Sequence, residues 1–311
     1  GYAGTSFLMA FAQNVQQLFI LRLIMGGVAG FIAATLAIAS TTTPREHMGY
    51  AMGVLHTSLT TGAIIGPFIG GFLADQMGYR NIFFVTAGFG FVAGILVILL
   101  VQEGERTAEE MKYPGLFSNY RFVFSSSTLV TIFFASSIVQ LAVMAIQPVL
   151  SLFVEALQPG TEHLATVAGG VFAITGLASL ISAPYWGKRG DRMGYKRVLA
   201  LTLLGTGITC VPQALVSRAY QLLLLRFVHG LFAGGILPAL YTLTTLNAPE
   251  ERRGGIMGIT RSGLLLGNVI GPISGGFLAA SIGMRPLFLF TAALLIAVTF
   301  CAARMIQEPT H

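Results

Sequence analysis

The sequence predicts an all-α polytopic membrane protein built from two related halves. Only 10% of its 311 residues are Asp, Glu, Lys or Arg, whereas soluble domains carry roughly 25%. Apolar stretches of about 20 residues, long enough to cross roughly 30 Å of hydrocarbon, recur between short polar breaks. The segment GAIIGPFIGG (62–71) also returns as GNVIGPISGG (267–276). The chain therefore contains too little polar surface for a soluble fold, and it contains an internal repeat.

Ten apolar spans are predicted, of which the first is incomplete. It ends near residue 12, before the polar run QNVQQ. Three further spans precede the most highly charged passage of the chain, and six follow it, at 18–41, 48–74, 81–101, 128–154, 165–186, 198–216, 221–246, 254–280 and 286–305. That passage, 102–123, is the predicted linker between an N-terminal bundle (1–101) and a C-terminal bundle (124–311).

The two halves align over some 85 residues, and LFILRLIMGGVAG (18–30) matches LLLLRFVHGLFAG (222–234). The second half has six predicted spans and the first has four. We therefore expect two more spans upstream, beginning roughly 76 residues before Gly1. Repeats of this kind are typical of transporters whose halves rock about a central site.

Basic residues in the short loops predict the orientation. With the linker in the cytoplasm, twelve Lys and Arg residues fall on that side and three on the other. We expect a multi-pass protein of the cytoplasmic (inner) membrane with its linker and C-terminus inside. The net charge of +6 does not indicate nucleic acid, because the basic residues form no continuous stripe.

The repeated glycine segment indicates a helix that another helix can approach closely. Gly62, Gly66 and Gly70 are spaced by four, so they line one helix face. Pro67 bends the same helix because it removes a backbone hydrogen bond. We interpret this face, together with the neighbouring Gly71, as a gate or hinge between two states of a transporter. Packing alone is the alternative interpretation.

Ionisable residues inside spans are costly and usually face an interior cavity. Arg22 lies about one turn inside the outer end of its span, and Arg226 holds the equivalent place in the second half. His56 could carry a proton, because histidine titrates near neutral pH, although an interior residue without that role is the commoner case. All twelve Asp and Glu fall in loops or at span ends. Either a coupling acid lies in the expected upstream spans, or histidine residues carry the proton, or proton coupling is absent.

Polar residues in two spans indicate a binding pocket. Gln140, Met144 and Gln147 fall on one stripe near mid-membrane, and Asn268 is the polar member of the second glycine segment. Amides beside a thioether suit a pocket for varied amphipathic molecules; alternatively, the glutamines bond neighbouring helices. The sequence has no nucleophile constellation, phosphate loop or metal-ligand spacing, so we predict neither an enzyme nor a cofactor.

Three segments resemble motifs of the major facilitator superfamily, and within it the twelve-span drug:proton antiporters. GAIIGPFIGG resembles the antiporter motif, and LFILRLIMGGVAG resembles the buried-arginine motif around Arg22. GKRGDRMGYKR resembles the short cytoplasmic loop signature, with Gly187, Asp191, Arg192 and Gly194 in matching places. The resemblance implies the major facilitator fold with ten of twelve transmembrane helices, a proton-coupling role for Arg22 and a latch in the cytoplasmic loop.

With that resemblance, the predicted function is export of amphipathic drugs or other toxic small molecules in exchange for protons, by a monomer using alternating access. One alternative is uptake or facilitated diffusion of a small metabolite, which a buried charged cluster would favour. A second alternative is a membrane sensor or scaffold on the same fold. It would predict a long soluble appendage, whereas the loops of this sequence are short.

Overall fold

In a computed structural model, the chain is described over residues 1–28, 35, 48–100, 115–160 and 163–308. For 48–53, 56, 57 and 116 the description covers the backbone only. Twelve α-helices have both ends in these ranges, and no strand occurs in them. The predicted all-α class is therefore confirmed.

Four of these helices precede the predicted linker, one begins inside it and seven follow it. The first four are α1 (Tyr2–Met9), α2 (Val15–Gly27), α3 (Met48–Met77) and α4 (Tyr79–Leu100). The remaining helices are α5 (Leu116–Ser125), α6 (Ser127–Leu157), α7 (Leu164–Met193), α8 (Tyr195–Gln213), α9 (Ala219–Ala233), α10 (Ile236–Leu246), α11 (Arg253–Ile282) and α12 (Met284–Met305).

Six helical segments in the described ranges are long and apolar enough to cross a membrane. They are Tyr79–Leu100, Ser127–Leu157, Leu164–Met193, Ala219–Leu246, Glu250–Ile282 and Met284–Met305. Each coincides with a predicted apolar span, and a helix satisfies all its backbone hydrogen bonds internally, as hydrocarbon demands. The prediction of a multi-pass membrane protein is confirmed.

The chain divides into two compact units. The first comprises Gly1–Glu110 together with Glu162–Gly169, and the second comprises Met111–Thr161 together with Gly170–His311. In the first unit, α1 packs against α2 and α4, and α3 packs against α4. In the second unit, α6 packs against α11 and α12, and α8 packs against α9, α10 and α12. The start of α7, up to Gly169, falls in the first unit.

Two predicted boundaries are corrected by the structure. The segment 187–193, predicted to be part of a loop, continues α7, so Gly187, Asp191 and Arg192 lie in its last turns. Only Gly194, with φ +91°, forms the turn before α8. Arg192 in the last turn favours this extension, because a cation stabilises the negative end of the helix dipole. The end of the predicted linker is likewise helical, since α5 occupies 116–125.

The predicted span 221–246 is interrupted between α9 and α10 by close packing. A Cβ at Gly234 would overlap the backbone of Ser179 on α7, and one at Gly235 would lie 2.6 Å from the Trp186 ring. The Gly235 amide bonds to the Phe232 carbonyl, outside the regular helical pattern. Trp186 Nε1 donates to the freed Leu231 carbonyl at 2.7 Å, so this acceptor remains satisfied inside the apolar unit.

Candidate functional site

Four glycines of α11, three of them in the second repeated segment, lie at the contact between α6 and α11. Gly263, Gly267, Gly271 and Gly275 recur every four residues and so share one face of α11. A Cβ at Gly271 would lie 2.6 Å from the Met144 Cβ, and one at Gly275 would overlap the Ala145 carbonyl oxygen. In the second half, this glycine stripe is therefore a helix-packing face.

The structure brings together three of the four predicted pocket residues at this crossing. Gln140 Nε2 on α6 donates to Asn268 Oδ1 on α11 at 2.7 Å, and Met144 contacts Gly271 one turn away. Gln140 is half-buried and Asn268 is exposed, so the amide pair retains further donors and acceptors for another molecule. Gln147 is also exposed, two turns along α6 from Gln140.

The first repeated segment makes its close contact through a different face. A Cβ at Gly62, Gly66 or Gly70 would meet no described atom within 4 Å. By contrast, a Cβ at Gly71 would overlap the Ala165 carbonyl at the start of α7. Likewise, a Cβ at Gly169 would overlap the carbonyl of Pro67, which lies inside α3. Within the first unit, α3 and the start of α7 thus approach at backbone contact.

Asp75, one turn beyond Gly71 on α3, caps the start of α7. Its Oδ1 accepts from the Ala165 amide at 3.1 Å, and its Oδ2 accepts from the Thr166 amide at 2.7 Å and the Thr166 hydroxyl at 2.5 Å. Asp75 lies outside the predicted span, which ends at Ala74. Burial acts to raise its pKa, but the bonds from Thr166 and Ala165 and the charge of His163 outweigh it. The pKa of Asp75 is consequently lowered from 3.8.

The predicted proton-coupling residues belong to the first unit. Arg22 lies on α2 with an exposed side chain, and the side chain of His56 lies outside the described residues.

Arg226, the repeat partner of Arg22, has very different surroundings. Arg226 on α9 is 8% exposed, and its guanidinium carbon lies 5.7 Å from the centroid of the Phe288 ring. Among the described residues, its Nε and Nη2 have no hydrogen-bond partner.

Of the predicted latch residues, Asp191 belongs to a polar cluster at the junction of α7 and α8, and Gly194 lies beside Glu308 of the same cluster. Tyr195 Oη donates to Asp191 Oδ1 at 2.5 Å. This bond, with burial and the charge of Asp191, raises the pKa of the Tyr195 phenol above 10.0. Glu308 accepts from the Tyr195 amide at 2.7 Å and from the Lys196 amide at 3.1 Å. A carboxylate thus caps α8, where the helix has unpaired N–H groups and a positive dipole end.

Sequence reasoning missed both capping carboxylates, Asp75 and Glu308. For Glu308 the internal repeat offers a signal in the sequence. The dipeptide Gln307-Glu308 follows the last span of the second half, as Gln102-Glu103 follows the last span of the first half. The segment is also anchored elsewhere: Ile306 is fully buried, and the Gln307 amide donates to Thr128 Oγ1 at 3.2 Å. For Asp75 the sequence offers a carboxylate near a span end but not the helix it caps.

Replacing Glu308 by alanine is expected to lower the thermal stability of the purified protein by a few degrees, because it removes a cap of about 1 kcal/mol. Glu308→Gln keeps one amide oxygen as an acceptor and should lose less. Glu251→Ala, which removes an exposed carboxylate, is the matched control. Equal melting temperatures for Glu308→Ala and Glu251→Ala would contradict the role of the cap.

Comparisons with known proteins identify the family of the chain. The family profile described as Major Facilitator Superfamily matches residues 1–165 and 132–311. Multidrug resistance protein MdtG of Proteus mirabilis is 36% identical over 94% of this chain and 73% of its own length. MdtG of Serratia proteamaculans is 36% identical over 93% of the chain and 70% of its own length. MdtG of Klebsiella pneumoniae is 33% identical over 99% and 75%.

A solved structure of a bacterial homologue of the human lysosomal transporter Spinster, inward-facing and occupied, superposes with a TM-score of 0.78. It is 14% identical and covers 99% of this chain and 82% of its own, so it supports the fold alone. The family profile matches both halves of the repeat, and the MdtG relatives exceed 30% identity along nearly the whole chain. The chain belongs to the major facilitator superfamily.

Proposed function

We propose that the protein is a secondary transporter that exports amphipathic drugs or other toxic small molecules by proton antiport. The observation that carries the proposal is the similarity, along 94% of the chain, to a protein named for multidrug resistance. The amide pair Gln140–Asn268 supports it, because a polar pair beside Met144 suits ligands that are mostly apolar. The proposed pocket comprises these three residues and Gln147.

The proposed mechanism is alternating access, in which the bundles 1–101 and 124–311 rock about a site near the membrane midplane. The glycine segment of α3, with Gly62, Gly66, Pro67, Gly70 and Gly71, would serve as the gate. The backbone contact of Gly71 with Ala165 supports this role, because helices that touch through glycine can separate without unpacking large side chains. The cluster of Gly187, Asp191, Arg192 and Gly194 would act as the cytoplasmic latch.

The proposed setting is the inner membrane, with the linker and C-terminus in the cytoplasm and the transporter acting as a monomer. The excess of Lys and Arg on the linker side supports this orientation. Arg22 and His56 are the proposed proton-coupling residues. For Arg22 the support is the resemblance of its motif and the cost of a charge inside a span.

Drug-triggered proton release from proteoliposomes tests the proposal directly. With a pH-sensitive dye inside the vesicles and an imposed proton gradient, adding a lipophilic cationic drug is expected to collapse part of the gradient. Vesicles without protein should not respond. Drug transport that is independent of the gradient would contradict antiport and favour facilitated diffusion, and the absence of any drug flux would contradict the export function.

Arg22→Ala is expected to abolish the pH dependence of drug transport, because the charge that couples the proton is removed. Arg226→Met is the matched control at the repeat-equivalent position. It should retain transport and fold at least as stably, because replacing a buried unpaired charge by an apolar residue is often neutral or stabilising. If Arg22→Ala transports with an unchanged pH profile, Arg22 is not the coupling residue.

A further inference from the structure

We propose that Asp75 is a latch of the α3–α7 contact: its carboxylate caps α7 while the two helices touch and releases it when the gate opens. This inference rests on the proposed transport by alternating access. It adds a residue outside the glycine segment, and it assigns that residue a specific partner, the first turn of α7. By the orientation proposed above, the latch lies on the side of the membrane opposite the linker.

The geometry is that of an anion bound at a helix N-terminus. Both oxygens of Asp75 are used, and two of the three donors are the backbone amides of Ala165 and Thr166. Such first-turn amides have no intrahelical partner, and the helix dipole further favours a negative charge there. The Thr166 hydroxyl adds a third bond to the same carboxylate.

This cap can form only while α3 and α7 are in contact. Pro67, Gly71 and Asp75 recur every four residues, so they share one face of α3. A side chain at Gly71 or at Gly169 would overlap the opposite backbone, so the two helices are at their closest approach. N–H···O hydrogen bonds in proteins are about 2.7–3.2 Å long, so a separation of the helices by one or two ångströms would break all three bonds together.

The internal repeat indicates that the capping carboxylate is not a general feature of the fold. In the second half, Gly276 stands at the position equivalent to Gly71, and Ala280 at the position equivalent to Asp75. The glycine of the crossing therefore recurs, whereas the side chain that accepts the three hydrogen bonds does not. The cap by Asp75 is thus specific to the first half.

Breaking the latch exposes groups that water can satisfy, and this makes it reversible. Asp75 is half-buried at the end of α3, so its carboxylate and the α7 amides exchange protein partners for water when they separate. Beside it, the three described atoms nearest to a Cβ at Gly71 or at Gly169 are all backbone atoms. These properties suit a contact that opens once in every transport cycle.

A reversible disulfide in place of the latch tests whether the contact must open. Asp75→Cys and Thr166→Cys are combined in a background with Cys210→Ala and Cys301→Ala. Oxidation is expected to cross-link the pair and reduce transport at least tenfold below the level of the reduced double variant, and dithiothreitol should restore that level. In each of the two single-cysteine variants, transport should be the same before and after oxidation. Absence of a cross-link, or full transport by the cross-linked protein, would overturn the proposal.

Hydrogen exchange at the start of α7 tests the cap without any transport assay. Asp75→Ala is expected to speed exchange of the Ala165 and Thr166 amides at least tenfold and to reduce transport. Asp75→Asn should have a smaller effect on both, because an asparagine oxygen still accepts one bond. Gln76→Ala, at an exposed neighbouring position, is the control.

The outcomes separate this proposal from the proposed function. Unchanged exchange in Asp75→Ala overturns the cap, and faster exchange with unimpaired transport overturns its role as a latch. If the unmodified protein moves no drug, the transport function fails, whereas the disulfide and the amide protection would still establish the cap.

Discussion

Gly275→Leu is expected to prevent folding of the second unit. A Cβ at this position would overlap the carbonyl oxygen of Ala145, which is backbone and cannot move aside as a flexible side chain can. The α6–α11 contact would have to open along its length, because Gly267 and Gly271 also lie against α6. Overpacking a closely packed core typically costs 1–3 kcal/mol for extra methylene groups, and a clash with backbone costs more.

Gly276→Leu is the matched control, one residue along the same helix. A Cβ there meets no described atom within 4 Å, so the same change in composition and helix propensity falls on an open face. Gly276→Leu should yield a monodisperse protein at close to the normal amount, whereas Gly275→Leu should be degraded or aggregated. Size-exclusion chromatography of a fluorescent fusion measures both, and similar profiles would contradict the packing role of Gly275.

The fold class and the family were predictable because they depend on local pattern. Length and apolarity mark each span, and the repeat of GAIIGPFIGG as GNVIGPISGG marks the two halves. The spacing also predicted a packing face through Gly62, Gly66 and Gly70. Its second-half equivalent packs against α6, as the spacing indicates for a glycine face.

Partners distant in sequence were not predictable, because periodicity shows which residues share a face but not what the face meets. Gln140 and Asn268 were each selected for polarity, yet only the fold shows that they bond across 128 positions. The sequence places Gly71 in the same segment as Gly70, although the two point to different faces. From sequence, Asp75 and Glu308 are only charges at span ends, because a cap is visible only when the capped helix is in place.

Gly71→Ala is expected to reduce drug transport to less than a tenth while leaving a folded protein. The added methyl group would overlap the Ala165 carbonyl, so α3 and the start of α7 could no longer meet and the gate could not close. The neighbouring cap by Asp75 would be lost with it. Folding should survive, because the contact involves only the first turns of α7.

Two controls determine which face of α3 forms the gate. Phe72→Ala changes the next residue, whose side chain is 50% exposed, and should transport normally. Gly66→Ala places the same methyl group on the stripe of Gly62, Gly66 and Gly70, where it meets no described atom within 4 Å. If Gly66→Ala abolished transport and Gly71→Ala did not, the gate would lie on the stripe and not on the face shared by Pro67, Gly71 and Asp75. Loss of transport in Gly71→Ala but not in Gly66→Ala would assign the gate to the crossing with α7. Transport of all three variants, measured in the same proteoliposome assay, distinguishes the two faces.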